Sequence, residues 1–248
     1  MPTVTGLTEP YGNFMLGPRA GPDICEVCFN FTRGFTRCYA CGQGAQAIDA
    51  VAPISYSIGH EQLHHALAAY KRVGGEIARQ LSVELAAVLW RYLAAHERCI
   101  AMAAGTNSFE FVATVPSGDR DRDDNHPLRW IVGEAVGPTR ERHRRLLLRT
   151  EVAVGAHTYD AHKYVAVRGL QRQSVLLIDD TWTTGASARS AAAALKAAES
   201  GPVAVVVIGR HLNREWHEND RRLRGISGPF DWGNCALCAP SVPCGEVN

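Results

Sequence analysis

Two short runs, Ser174–Asp179 and Pro202–Gly209, are almost wholly apolar, and the alanine-rich stretch Ala186–Glu199 lies between them. A strand that is apolar at every position suits burial on both faces. Two such strands joined through a helix make a βαβ unit in a parallel sheet covered by helices. The predicted fold class is therefore α/β, with a parallel sheet flanked by helices. The connecting loop, Asp180–Gly185, falls at the carboxyl end of a strand, where such sheets bind ligands.

The turn reads Val175-Leu-Leu-Ile-Asp-Asp-Thr-Trp-Thr-Thr-Gly-Ala-Ser187. The first amides of a helix lack intrahelical partners and carry partial positive charge, so a phosphate dianion fits there. Thr183, Thr184 and Ser187 add hydroxyl donors, and Gly185 lets the backbone come close. Asp179 and Asp180 would repel phosphate but suit two neighbouring sugar hydroxyls, and a Mg2+ ion would relieve their charge. The plain alternative is a polar strand-to-helix connection with a good N-cap. The order of two acids, three hydroxyls and a glycine favours the ligand. There is no Gly-x4-Gly-Lys-Ser/Thr loop and no dinucleotide fingerprint.

This stretch resembles the phosphoribosyl-pyrophosphate motif of the type I phosphoribosyltransferases. The resemblance implies that Asp179 and Asp180 hold the ribose 2- and 3-hydroxyls; a general-base role for either acid is a further chemical option beside ribose binding. It assigns the 5-phosphate to Thr183, Thr184, Gly185, Ala186 and Ser187. Thr181, which stands where valine is usual, joins the substrate-binding set. Val115–Arg120 lies where that family has its pyrophosphate loop, which gives Ser117, Gly118 and Arg120 a role with the leaving group. A solvated loop of self-neutralising Asp/Arg pairs is the alternative. Transfer to a base or amine would pass through an oxocarbenium-like sugar, so positioning of phosphate, ribose and Mg2+-pyrophosphate carries the rate. A non-catalytic module that senses the same sugar phosphate is the rival reading.

Seven of the eight cysteines are clustered. Cys25-Glu-Val-Cys28 and Cys38-Tyr-Ala-Cys41 are two Cys-x2-Cys knuckles, which match a closed tetrahedral zinc site with a structural job. Cys235-Ala-Leu-Cys238 with Cys244 forms a third group. It reads either as a second zinc site, with a fourth ligand from His217, His211 or elsewhere, or as incidental thiols. Cys99 stands alone in a predicted helix. Such clustering in a reducing compartment favours metal over disulfides.

A four-cysteine ribbon, then helices, then this turn is the order seen in the ComF family of competence-associated phosphoribosyltransferase-like proteins. The resemblance covers roughly residues 25–210. It implies handling of transforming DNA, with DNA or a helicase-like protein as partner. The Arg-Gly-Phe-Asn-type segment of that family is replaced here by Pro116–Asp124.

The expected organisation is a flexible tail (1–22), a zinc-ribbon module (23–45), a phosphoribosyltransferase-like domain with N-terminal helices (46–215) and a Cys-containing extension (216–248). Apolar residues recur at helical spacing over Glu61–Tyr70 and from Glu76 to about Glu97, with Gly74–Gly75 between. Phe109–Val115 reads as a strand, Pro127–Val136 as a helix starting at proline, and Val152–Gly155 and Tyr164–Val167 as short strand-like pieces. Arg140, Arg142, Arg144, Arg145 and Arg149 read as a solvated helix face, or else as a phosphate-contacting surface. His157–Arg168 reads as a surface connection or as a mobile loop bringing Lys163 and Arg168 to pyrophosphate. His64, His65 and His96 read as packing or surface residues, and Trp182 as a base-stacking or walling residue. A net charge of +1 gives no bulk argument for nucleic acid. No apolar run reaches membrane-spanning length and the N-terminus is not a secretory signal, so the expected address is the cytoplasm, away from the membrane.

Overall fold

A computed structural model describes residues 2–43, 47–117, 123–155, 157–226 and 228–238. Four parallel strands form its central sheet: β1 (Ala50–Ile58), β2 (Phe111–Thr114), β5 (Val175–Trp182) and β6 (Val203–Leu212), in the order β1-β6-β5-β2. A separate antiparallel pair, β3 (Leu147–Arg149) and β4 (Tyr164–Ala166), flanks it.

Side chains of β6 alternate between two cores. Ala204, Val206 and Ile208 join Leu63, Leu67, Leu85 and Leu89 on one face. Val203, Val205 and Val207 join Ala188, Ala191 and Leu195 on the other. That two-sided burial is why the strand is apolar throughout. The first face is covered by helices α1 (Gln62–Arg72) and α2 (Gly75–Ala103), the second by α3 (Ala186–Ala197) and the four-cysteine module. The α/β class is as expected. Gly209 lets α1 approach the sheet, since a Cβ there would run into Leu67 and Ser57.

Several boundaries move. β5 does not stop at Asp179: Asp179, Thr181 and Trp182 stay in register with Val207, Gly209 and Arg210, so both acids sit in the strand and the loop shrinks to Thr183–Gly185. α2 continues past Glu97 because Ile100 and Ala101 keep its buried face going. The Pro127 helix begins as expected, and its cap is His126, whose Nδ1 accepts from the Leu128 amide at 3.2 Å. After Trp130 it widens into a π turn, Ile131–Ala135. Val152–Gly155 is not a strand; β4 pairs with Leu147–Arg149 instead.

Residues 4–16 do not hang free. Tyr11 and Met15 are buried, the Tyr11 hydroxyl donates to Glu84 Oε2 at 2.9 Å, and the Tyr56 amide donates to the Leu16 carbonyl at 2.8 Å. The basic run does not form one helix face either. It crosses the short helix Gly137–Arg140, a turn and β3. Arg142 grips both carboxylate oxygens of Glu97 at 2.5 and 2.8 Å, and Arg145 pairs with Asp124 at 2.6 Å. Among the described residues no helix is long and apolar enough to cross a membrane.

Candidate functional site

The end of β5, the Thr183–Gly185 loop and the start of α3 form one wall of a cavity of about 730 Å³. Asp179, Asp180, Thr181, Thr183, Thr184, Gly185, Ala186 and Ser187 all line it. The loop holds its shape through Gly185, which sits at φ 73° and lies directly on Trp182. Any Cβ at 185 would collide with that indole, which is itself buried in the second core. Trp182 is therefore the floor beneath the loop and does not face a base. Among the described residues no acceptor takes the amides of Thr183, Thr184, Gly185 or Ser187, whereas the Ala186 amide donates to Thr184 Oγ1 at 3.3 Å. An anion can be bound by such a row of amides at a helix start.

The two acids differ. Asp180 is buried; Lys71 Nζ donates to its Oδ1 at 2.7 Å and the Tyr70 hydroxyl donates to its Oδ2. His126 Nε2 lies 4.0 Å from the same Oδ2. Burial alone would raise the Asp180 pKa, but the charge and hydrogen bond of Lys71, with the Tyr70 hydroxyl, hold it below the ordinary carboxylate value. Asp179 is half-buried at the cavity edge, and its Oδ1 accepts from the Asp180 amide at 2.9 Å. Burial first, and the neighbouring Asp180 charge second, push the Asp179 carboxyl up to about 7. Such a group is poised to gain a cation or hydroxyl donors.

Positive charge reaches the site from elements distant in sequence. Lys71 and Arg72, at the end of α1, line the same cavity. Lys163, just before β4, is buried and donates from Nζ to Ser187 Oγ at 3.0 Å. Its pKa is lowered, chiefly by burial and then by Arg149, and Asp179 partly offsets this. The segment before it is pinned to α3, where the Asp160 amide donates to Ser190 Oγ at 3.0 Å. Arg168 does not come in; its guanidinium stacks 4.7 Å over the Phe111 ring. Ser117 lines the cavity, but its amide already donates to Asp123 Oδ1 at 2.7 Å. Gly118 and Arg120 lie outside the described residues. Sequence reasoning missed Tyr70, Lys71 and His126, since nothing local marks the end of an amphipathic helix as a cavity wall.

Behind the loop, Cys25, Cys28, Cys38 and Cys41 form a candidate structural metal site, with all four sulfurs within 4.8 Å of one another. Three of them are buried, and four thiolates at that spacing suit tetrahedral zinc. Arg189 of α3 donates to the Ala40 carbonyl at 2.7 Å, which docks the ribbon on the helix that carries the loop. Cys235 and Cys238 also come together, with Sγ atoms 3.3 Å apart, while Cys244 lies outside the described residues. Neither histidine named as a fourth ligand joins that pair: His211 packs on His64, and His217 contacts Arg33. Comparison of the sequence with family models gives no match, and no curated protein matches it.

Proposed function

We propose that this chain binds a phosphoribosyl ligand, phosphoribosyl pyrophosphate or ribose 5-phosphate, in the cavity at the end of β5. One observation carries the reading: eight residues of the Asp179–Ser187 turn line a single cavity, which brings the loop and a carboxylate of raised pKa to the same space. The 5-phosphate would sit on the amides of Thr183, Thr184, Gly185 and Ser187, with Lys163 adding charge beside Ser187. The ribose hydroxyls would donate to Asp179. Asp180, already anchored by Lys71 and Tyr70, would fix the orientation of its neighbour. Asp179 would also hold Mg2+, which when bound neutralises the charge of pyrophosphate. In a transfer reaction the chain would position sugar and leaving group, while Lys71 and Arg72 supply positive charge across the cavity.

The ComF resemblance also leads us to read the protein as one that handles DNA with a protein partner. Phe35 and Tyr39, exposed at 69% and 85% on the ribbon, support a docking role there. A non-catalytic sensor is favoured by one further observation: both oxygens of Asp180 are already taken, so a single free acid is left for chemistry.

Calorimetry with ribose 5-phosphate, and with phosphoribosyl pyrophosphate plus Mg2+, tests the reading. Binding by the wild type and its loss in Thr184→Val and Asp179→Asn is the expected result; no heat with either ligand at millimolar concentration would sink the proposal. Pyrophosphate release with candidate bases then separates enzyme from sensor.

A further inference from the structure

The extension after β6 returns to the far side of the sheet, where it meets α2. His96 and Cys99 lie one helical turn apart on α2, and Cys235 and Cys238 lie in the Cys-Ala-Leu-Cys turn that packs on them. A ring nitrogen of His96 and the three sulfurs all fall within 4.8 Å of one another. Four ligands about 2.3 Å from a common zinc, or slightly nearer for nitrogen, would be separated by just under 4 Å. Once the disulfide at Cys99 and Cys238 is reduced, the four residues are near enough to close on one ion.

His96 supplies an independent pointer. Its side chain is 1% exposed, and Nε2 donates to the Trp232 carbonyl at 2.9 Å. That bond fixes the proton on Nε2 and leaves a lone pair on Nδ1, a buried nitrogen with no hydrogen-bond partner among the described residues. A stranded acceptor of this kind costs free energy unless something electrophilic meets it. An imidazole that donates its other N–H to a backbone carbonyl is also the usual arrangement of a metal-bound histidine. Around the sulfurs, the Cys235 amide donates to Cys238 Sγ at 3.1 Å, and the fully buried Tyr92 hydroxyl lies beside Cys235. Both are donors suited to metal-bound thiolates.

We infer that His96, Cys99, Cys235 and Cys238 form a second, structural zinc site, with three thiolates and one imidazole, that clamps the 228–238 segment onto α2. In the reduced chain zinc binding displaces the three thiol protons; starting from the disulfide at Cys99 and Cys238, a thiol reductant must first supply two electrons and two protons to cleave the S–S bond. Each face of the sheet then has its own metal staple, since Cys25, Cys28 and Cys41 belong to one core and Cys235 to the other. Two of the four ligands come from α2, so Cys244 is not needed. Cys99 and Cys238 are disulfide-bonded in the structure, which is the oxidised alternative for the same four residues.

The test is metal analysis of the full chain purified under reducing conditions without chelator. Two zinc ions per chain are expected. His96→Ala and Cys235→Ser should each retain one, Cys38→Ser should lose the other, and Cys244→Ser should keep both. Cobalt substitution of the wild type serves where a variant fails to fold: its spectrum should contain a component with three sulfur ligands and one nitrogen beside the all-sulfur one. A single zinc ion per chain under these reducing conditions would overturn the site, and an intact mass lower by two hydrogens in protein prepared without reductant would then establish the disulfide in its place. Loss of an ion in Cys244→Ser would overturn the assignment of His96. Neither result bears on the sugar-phosphate cavity.

Discussion

Arg210, only 3% exposed within β6, donates from Nε to the carbonyl oxygen of Cys28 at 3.1 Å. The same guanidinium reaches the Trp182 carbonyl through Nη1 at 3.2 Å and approaches Cys28 Sγ through Nη2 at 3.7 Å. One buried cation thus ties a thiol of the candidate metal site to the residue just before the Thr183–Gly185 loop. Zinc coordination leaves net negative charge on four thiolates, and a buried guanidinium offsets it.

Arg210→Met should expose the worth of that tie. It leaves two buried carbonyls without a donor, at about 1–3 kcal/mol each. Urea unfolding should show destabilisation of about that order, and a chelator should strip zinc from the ribbon faster than from the wild type. Unchanged zinc release would mean that the guanidinium does not support the metal cluster.

The loop predicts a coupled pair. Gly185→Ala introduces both a left-handed strain and a collision with Trp182, so it should lower stability by about 1–3 kcal/mol and weaken ribose 5-phosphate binding. Trp182→Leu removes the obstacle but not the backbone strain. The double variant should therefore be more stable than the sum of the single effects, as read by a double-mutant cycle. Strict additivity would show that the indole does not set the loop.

The contrast between what was legible in sequence and what was not follows contact distance along the chain. The β5-loop-α3-β6 unit announced itself because its apolar runs and hydroxyl-rich turn are local. The paired knuckles of the ribbon did so because zinc ligands come in short spacings. Tyr70 and Lys71 did not: they meet Asp180 across 110 and 109 positions, and within their own helix they read as an ordinary buried face and a charged end. The arginine run misled for a related reason. Arg142 is committed to Glu97, 45 positions away, so its charge belongs to an ion pair between segments and not to a solvated face. His96 and Cys99 were invisible as a pair because their partners arrive from the end of the chain.

Lys163 gives a third prediction. Its ammonium is buried beside Ser187 with its pKa lowered mainly by desolvation, so a bound phosphate dianion would restore a partner for the charge. Lys163→Met is close in volume and removes the charge together with the hydrogen bond to Ser187 Oγ. Ribose 5-phosphate affinity should fall by about ten- to a hundredfold in calorimetry, while thermal stability without ligand stays level or rises, because a partly desolvated cation is gone. Wild-type affinity in this variant would place the phosphate elsewhere.

Asp179 sets the pH behaviour of the site. Its carboxyl is raised to about 7 from an ordinary 3.8, first by burial and then by Asp180. The folded chain thus holds a proton that the unfolded chain has already released. The stability this group contributes is present in acid and is lost as pH rises through about 7. Ligand binding runs the other way. Ribose hydroxyls and Mg2+ both need the carboxylate, so uptake of ribose 5-phosphate with Mg2+ should strengthen from pH 6 to pH 8 and release a proton below the midpoint. Buffers of different ionisation enthalpy would reveal that proton in calorimetry. Asp179→Asn should flatten the pH dependence as well as weaken binding, whereas Thr184→Val should weaken binding and leave the slope intact. A slope that survives in Asp179→Asn would assign the titration to another group, with His126 next in line across the cavity.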